Sequence, residues 1–169
     1  MRNILLKIII VICLSIIPGS LYASQQDTPL TATVSVDSVF KISIQTSALD
    51  FGTIEPGSSS AKKNVGISCV TNNNRTWSVS LYAQSPLSYE AYEIPNSNFK
   101  WETQVIDGTG QAAQSGIMGV TPVNFYIAGM DDYITETPVE LVLSLSIDVP
   151  QGQVAGQYST VVVITMHEE

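Results

Sequence analysis

The sequence predicts an all-β protein, built as an antiparallel sandwich of about eight or nine strands. Apolar and polar residues alternate along most of the chain after residue 23, and clusters of Gly, Pro, Asn and Ser separate the alternating stretches. No stretch there shows a convincing apolar period of 3.6 residues, the spacing that predicts a helix. Alternation is typical of a half-buried strand, because successive side chains point to opposite faces of a sheet. Each one-sided sheet must bury its apolar face against another, which favours a sandwich.

The stretch from 139 to 149 shows the alternation most clearly, with Val, Leu or Ile at every odd position and mostly polar residues between them. The same pattern predicts strands at 30–36, 40–44, 49–54, 63–70, 77–83, 99–106, 123–127, 139–149 and 158–166. Val161 and Val163 make the last of these apolar on both faces, which predicts an inner strand. Asp37 and Ser38 are expected to kink the chain between the predicted strands 30–36 and 40–44. Loops are predicted at 86–98, 107–119 and 129–138.

A secretory signal peptide is predicted over residues 1–23. Arg2 and Lys7 give a positive start, residues 8–17 are almost all apolar, and Ala23 offers a small residue at the cleavage point. The apolar run is too short for a membrane-spanning helix, which needs roughly 20 residues. Residues 24–169 are therefore expected to form a single β-sandwich domain that is exported to the periplasm, the cell surface or the medium.

Charge and cysteine content narrow the choice of partners. The chain has a net charge of −8, and residues 24–169 carry five basic against fifteen acidic side chains. Such a surface repels phosphate backbones, so no nucleic-acid partner is predicted, and no basic amphipathic helix is present to bind a membrane surface. Cys69 is the one cysteine after residue 23, and its place in an apolar alternating stretch predicts a buried thiol.

The sequence offers little for catalysis, and no enzyme is predicted. His167 is the single histidine and is third from the end, where a solvated side chain is the simpler interpretation. With one histidine and a buried cysteine, we expect no Ser-His-Asp or Cys-His arrangement. Asp131, Asp132 and Glu136 could hold calcium, but they lack the glycine-bearing spacing of a calcium-binding loop. We therefore predict no catalytic residues, no metal site and no cofactor.

Two parts of the chain resemble bacterial exported immunoglobulin-like sandwiches, particularly spore coat U-type and related pilin-like domains. The first part is Leu-Asp-Phe-Gly-Thr-Ile at 49–54, followed by Gly57, Val-Gly-Ile-Ser-Cys at 65–69 and Trp-Ser-Val-Ser-Leu at 77–81. The second part runs from Val149 through Ala-Gly-Gln-Tyr-Ser-Thr at 155–160 into the last strand. The resemblance implies an antiparallel immunoglobulin-like β-sandwich. Spore coat U-type domains usually pair a cysteine at a position like Cys69 with an earlier one, which is missing here.

The pilin likeness also implies a way to assemble. Such subunits lack one strand, and the N-terminal extension of a neighbour supplies it by β-strand addition. Residues 24–36 are the only segment suited to be that donor, and the last strand would be the acceptor edge. The apolar face of the donor would consist of Leu30, Ala32, Val34 and Val36. The simpler alternative is that residues 30–36 form the first strand of their own sandwich, since the chain has enough predicted strands to close by itself.

Two functions remain open at this point. The first is a non-enzymatic structural protein of the bacterial envelope or cell surface (a coat, appendage or adhesion-associated subunit), with itself or another protein as partner. The alternative is a secreted module that binds a carbohydrate or a protein, in which Tyr89, Tyr92 and Trp101 form an aromatic platform near one long loop. Trp101 could instead belong to the core together with Trp77, as tryptophans of sandwiches often do.

Overall fold

The computed structural model describes residues 30–134 and 137–169, so the predicted signal peptide lies outside the described residues. Besides strands, this part of the chain contains two single 3₁₀ turns, at Asn96–Asn98 and Met130–Asp132. The strands are β1 (Phe40–Ile44), β2 (Lys63–Thr71), β3 (Trp77–Ala83), β4 (Leu87–Tyr89), β5 (Tyr92–Ile94), β6 (Phe99–Asp107), β7 (Gln111–Ala112), β8 (Ser115–Ile117), β9 (Val123–Ile127), β10 (Val139–Ile147) and β11 (Val162–Glu168). None of the helical turns in these two ranges is long and apolar enough to cross a membrane.

The strands form two main antiparallel sheets, so the predicted all-β fold class is confirmed. One sheet has five strands in the order β1-β2-β10-β6-β8, and the other has four in the order β11-β3-β9-β7. β4 and β5 form a separate hairpin. All strands belong to one compact unit, Val36–Glu169. The arrangement is consistent with an immunoglobulin-like β-sandwich.

Burial in the central strands follows the alternation in the sequence. In β10 the odd-numbered side chains from Val139 to Ile147 are at most 5% exposed, while the even-numbered ones are half-buried. The inner faces of the two sheets meet in one core, where the ring centroids of Trp101 in one sheet and Phe125 in the other lie 6.4 Å apart. Fully burying an apolar side chain of this kind contributes roughly 1.5–3 kcal/mol, so these inward positions supply much of the stability.

The structure corrects the predicted strand at 49–54, which is irregular chain. The carboxylate of Asp50 accepts a hydrogen bond from the backbone N–H of Gly52 at 2.7 Å, and Gly52 has a φ of +73°. A left-handed residue held by an Asx turn bends the chain away from an extended path. Leu49 and Phe51 still pack partly buried side chains against the core, which explains the apolar alternation at the start of this stretch.

Two predicted loops contain short strands. Residues 86–98 include the β4–β5 hairpin, and residues 107–119 include β7 and β8. These strands have only two or three residues, which is too short for alternation to be visible in the sequence. β7 pairs with one main sheet and β8 with the other, so the chain crosses between the sheets over two residues at this side of the sandwich.

Candidate functional site

The last strand lies at an edge of its sheet, so the predicted inner position is wrong. β11 is the outermost strand of the four-stranded sheet, and β3 is its one paired neighbour among the described residues. The apolar residues on both faces of this strand suggested that other parts of the protein pack against both faces. In the structure Val161, just before β11, is 56% exposed, so its apolar side chain is not evidence of a second covering layer.

The backbone of β11 offers free hydrogen-bonding groups along its outer edge. Val161 O accepts from Gln84 N–H at 2.9 Å, and Glu169 N–H donates to Thr76 O at 3.0 Å. Because the residues of an antiparallel pair alternate between bonded and non-bonded positions, odd-numbered residues of β11 bond to β3. The N–H and C=O groups of Val162, Ile164 and Met166 therefore point away from β3, toward the open edge.

β1 is the outermost strand of the five-stranded sheet, and within residues 30–134 and 137–169 it pairs only with β2. Gln45 N–H donates to Gly66 O at 3.0 Å, and Asn72 N–H donates to Val39 O at 3.1 Å, so the odd-numbered residues bond to β2. The backbone groups of the even-numbered residues, Phe40, Ile42 and Ile44, point away from β2. Two unpaired edges of this kind are a template for the addition of another strand.

An apolar groove of about 1170 Å³ is lined by the ends of both edge strands. Its floor is formed by buried core side chains, and its walls by the irregular segments that precede β2 and β11. The apolar lining includes Ile44, Leu49, Phe51, Phe99, Leu145, Val162 and Ile164. Phe51 and Phe99 meet edge to face with their centroids 6.2 Å apart. The groove therefore has an apolar base between the ends of the two edge strands.

Residues 30–36 do not form a strand in the structure, so the interpretation of this segment as the first strand of its own sandwich is wrong. Leu30 is 93% exposed, Val34 88% and Val36 81%, and Ala32 is also exposed. Alternation alone cannot distinguish a strand that packs in its own domain from one that needs another partner. The earlier part of the candidate donor, residues 24–29, lies outside the described residues.

The aromatic residues of the alternative hypothesis do not form one exposed platform. Trp101 is 3% exposed, its ring Nε1–H donates to Ile117 O at 3.2 Å, and it packs against Phe125. Tyr89, at the end of β4, packs against Tyr158 in the segment before β11, with 5.8 Å between the ring centroids. Tyr92 alone of the three is exposed. No support for glycan binding follows from this arrangement.

A serine–histidine pair is present that sequence reasoning missed. Ser78 Oγ lies 2.8 Å from His167 Nε2, because the β3–β11 register places the two residues opposite each other, and Glu169 Oε1 lies 3.5 Å from the same hydroxyl. Ser78 has no exposed surface. A nucleophile must reach the substrate carbonyl, so this buried hydroxyl is placed to link two strands rather than to attack a substrate.

The side chain of Asp132 points into the protein. Its carboxylate is therefore not exposed to solvent, from which a calcium ion would have to bind. It is 2% exposed, and its carboxylate accepts hydrogen bonds from Tyr126 Oη–H at 2.5 Å, from the N–H groups of Thr109 and Gly129 at 2.9 Å, and from the Thr109 hydroxyl. Within residues 30–134 and 137–169 no three acidic, histidine or cysteine side chains group as metal ligands. Glu136 lies outside the described residues.

Cys69 is fully buried, as predicted, and we expect it to be unreactive in the folded protein. Burial, together with the nearby Glu140 carboxylate, raises the pKa of its thiol to about 12. Because the thiolate is the reactive form, a thiol reagent such as DTNB should leave the folded, processed protein unmodified at pH 8 and modify one thiol per chain in urea. Complete reaction without denaturant would contradict this placement.

No family model and no curated protein matches the chain. Among solved structures it is similar to a chain of a chaperone-usher pilus, studied for the uncoiling of its rod, with 15% identity and a TM-score of 0.44 over 87% of this chain and 97% of that one. It is also similar to PapA, the rod subunit of the P pilus, with 16% identity and a TM-score of 0.42 over 86% of this chain and 100% of that one. No specific family is shown by these similarities.

Proposed function

We propose that this chain is an exported, non-enzymatic structural subunit of a bacterial surface appendage, and that it self-associates by β-strand addition. Residues 24–36 of one copy would fill the groove of the next. The groove between β1 and β11 carries the proposal, because both flanking edges have backbone groups that pair with no other described residue, above an apolar floor. Pairing and burial would then be satisfied together by one inserted strand.

The donor segment matches the groove in pattern and length. Leu30, Ala32, Val34 and Val36 occupy one face of an extended chain, and Thr31, Thr33 and Ser35 occupy the other. At about 3.3 Å per residue the seven residues span about 20 Å, comparable with a typical strand and longer than the open edge from Val162 to Met166. The apolar face would enter the groove while the hydroxyl face remained in water.

Neither burial nor backbone pairing alone would stabilise such a complex strongly. Burying the Leu and Val side chains contributes roughly 1.5–3 kcal/mol each, whereas ordering each residue of the segment costs roughly 1–2 kcal/mol. The balance becomes favourable when the edge groups of β1 and β11 are hydrogen-bonded as well, because their pairing adds roughly 0.5–1.5 kcal/mol for each bond. Strand addition therefore requires the inserted segment to fit both the side-chain and the backbone pattern.

Deletion of the donor segment tests this function directly. The full chain with its own leader is expressed in a Gram-negative host, and the processed protein is run unboiled on a denaturing gel. We expect a ladder of oligomers that boiling removes. A variant that lacks residues 25–36 should run as a monomer, because it keeps the groove but has no strand to donate.

A synthetic peptide of residues 24–36 provides the matched control. The truncated subunit should bind this peptide and unfold at a higher temperature, since a ligand that binds only the folded state stabilises it. A peptide with Leu30, Val34 and Val36 replaced by serine should have no effect. A full-length protein that is monomeric in every preparation, or a ladder that survives the deletion, would overturn the proposal.

A further inference from the structure

Residues 37–39 are held along the end of β2 by two asparagine side chains. Asn72 Oδ1 accepts from Val39 N–H at 2.7 Å, and Asn72 Nδ2 donates to Asp37 O at 2.9 Å. Asn73 Oδ1 accepts from the Ser38 hydroxyl at 2.5 Å, and Asn73 Nδ2 donates to the Glu168 carboxylate of β11. We call Asn72 and Asn73 with these contacts the asparagine clamp. It continues the β1–β2 pairing beyond Phe40, where the kink at Asp37 and Ser38 was predicted from the sequence.

A donor segment attached to its own groove faces a competition. A short flexible tether gives an intramolecular partner an effective concentration in the millimolar range, far above the concentration of separate subunits in a dilute compartment. A chain that is free to fold back would therefore fill its own groove before it met a neighbour. Assembly needs a feature that makes folding back costly.

The turn required for folding back coincides with the clamped residues. A three-residue hairpin turn over 37–39 would set Val36 opposite Phe40 and Val34 opposite Ile42, with both apolar faces directed inward. Asp and Ser favour such a turn. If 37–39 remain extended, the last possible three-residue turn covers 34–36, and Leu30 would lie opposite Phe40. Ala32, Val34 and Val36 would then stay outside the groove.

We infer that the asparagine clamp is a positioning device that prevents a subunit from filling its own groove and so commits residues 24–36 to a second copy of this chain. This inference rests on the proposed function. Asn72 and Asn73 neither line the groove nor belong to the donor, and the contact of Asn73 with β11 is at Glu168, the last residue of that strand. Their loss therefore leaves the groove lining and the donor segment unchanged. Loss of the clamp should therefore change whether a groove is filled by its own chain or by a second copy. It should not leave the groove empty.

A disulfide trap distinguishes a subunit that fills its own groove from one whose groove is filled by a second copy. Ala32→Cys with Ile44→Cys places two thiols opposite each other in the fold-back hairpin, and Cys69 is buried and does not compete. With the clamp intact, oxidation should yield covalent oligomers on a non-reducing gel. Adding Asn72→Ala and Asn73→Ala should raise the ratio of internally linked monomer to oligomer on the order of tenfold, because the hydrogen bonds that hold 37–39 are lost.

Asn64→Ala is the matched control, since Asn64 is an exposed β2 asparagine whose side-chain oxygen accepts a hydrogen bond from Ser144 Oγ, away from residues 37–39. It should leave the ratio as in the parent. If the double clamp variant does not fold, Asn72→Asp keeps the acceptor for Val39 N–H, loses the donor to Asp37 O, and should shift the ratio in the same direction. An unchanged ratio in the clamp variants, or a parent that is already linked internally, would overturn the inference. Absence of both products in the parent would also overturn the inference, whereas strand addition itself is tested by the deletion of residues 25–36.

Discussion

Replacing Val34 by aspartate is expected to abolish assembly, whereas replacing Thr33 by aspartate is expected to leave it nearly intact. The two residues are adjacent in sequence, are similar in size and are both exposed before assembly, but they lie on opposite faces of an extended chain. In the proposed complex Val34 enters the apolar groove and Thr33 faces water. The pair of variants therefore reports whether the segment is inserted as a strand with a fixed face.

The expected effect of the Val34 variant is large because a buried carboxylate would have no cation to pair with. Among the residues that the structure describes, no Lys or Arg lines the groove. Burying an unpaired charge costs several kcal/mol, and a cost of about 4 kcal/mol corresponds to roughly a thousandfold weaker binding. At ordinary subunit concentrations such a loss removes the oligomer.

The measurement is the fraction of heat-sensitive oligomer on unboiled gels, together with the affinity of the corresponding 24–36 peptides for the subunit that lacks residues 25–36. Val34→Leu should retain assembly because it remains apolar. If the Val34 and Thr33 aspartate variants weaken binding equally, the segment is not held with one face inward. If neither has an effect, residues 30–36 do not enter the groove at all.

The central strands could be predicted from the sequence because their environment is uniform. β2 and β10 have the core on one face over nine residues each, so five or so successive alternations appear in the sequence. Trp77 and Cys69 lie within the same kind of pattern and are buried as expected. Where one face of a strand is buried along its whole length, the alternation of side chains is enough to predict the strand.

The elements that form the groove were harder to predict. Alternation indicates that one face of a segment can be buried, but not which other segment buries it. Residues 49–54 and 30–36 show the same apolar period as β10, yet the first is an irregular wall bent at Gly52 and the second is exposed. β11 is apolar on both faces and still lies at an edge. The position of a strand in a sheet depends on which distant segments pair with it, and one sequence does not contain that information.

The asparagine clamp could not be found from the sequence either. Asn72 and Asn73 belong to a turn rich in asparagine, a composition that predicts only a turn. Their contacts with Asp37, Ser38 and Val39 join residues more than thirty positions apart. The same limit applies to Asp132, which the sequence presented only as one of three acidic residues in a predicted loop.

Replacing Asp132 by alanine is expected to be the most destabilising single change outside the apolar core. The variant leaves Tyr126 Oη and the backbone N–H groups of Thr109 and Gly129 without their acceptor in a buried site. Each unsatisfied buried donor costs roughly 1–3 kcal/mol, so a loss of about 3–5 kcal/mol in the free energy of unfolding is expected in urea. Asp131→Ala is the matched control, because Asp131 is the exposed neighbour, and it should change stability by less than about 0.5 kcal/mol.

The contribution of Asp132 should also depend on pH. Burial by itself raises the pKa of the carboxyl, but the hydrogen bonds from Tyr126, Thr109 and Gly129 outweigh it and hold the pKa below the ordinary value of 3.8. A group whose pKa is lowered by folding contributes its stability above the unfolded pKa and loses it as the pH falls through the folded pKa. The difference in unfolding free energy between the parent and Asp132→Ala should therefore be constant from pH 7 to about pH 5. It should shrink progressively below about pH 4, and a difference that grows on acidification would show that the carboxyl is held protonated instead.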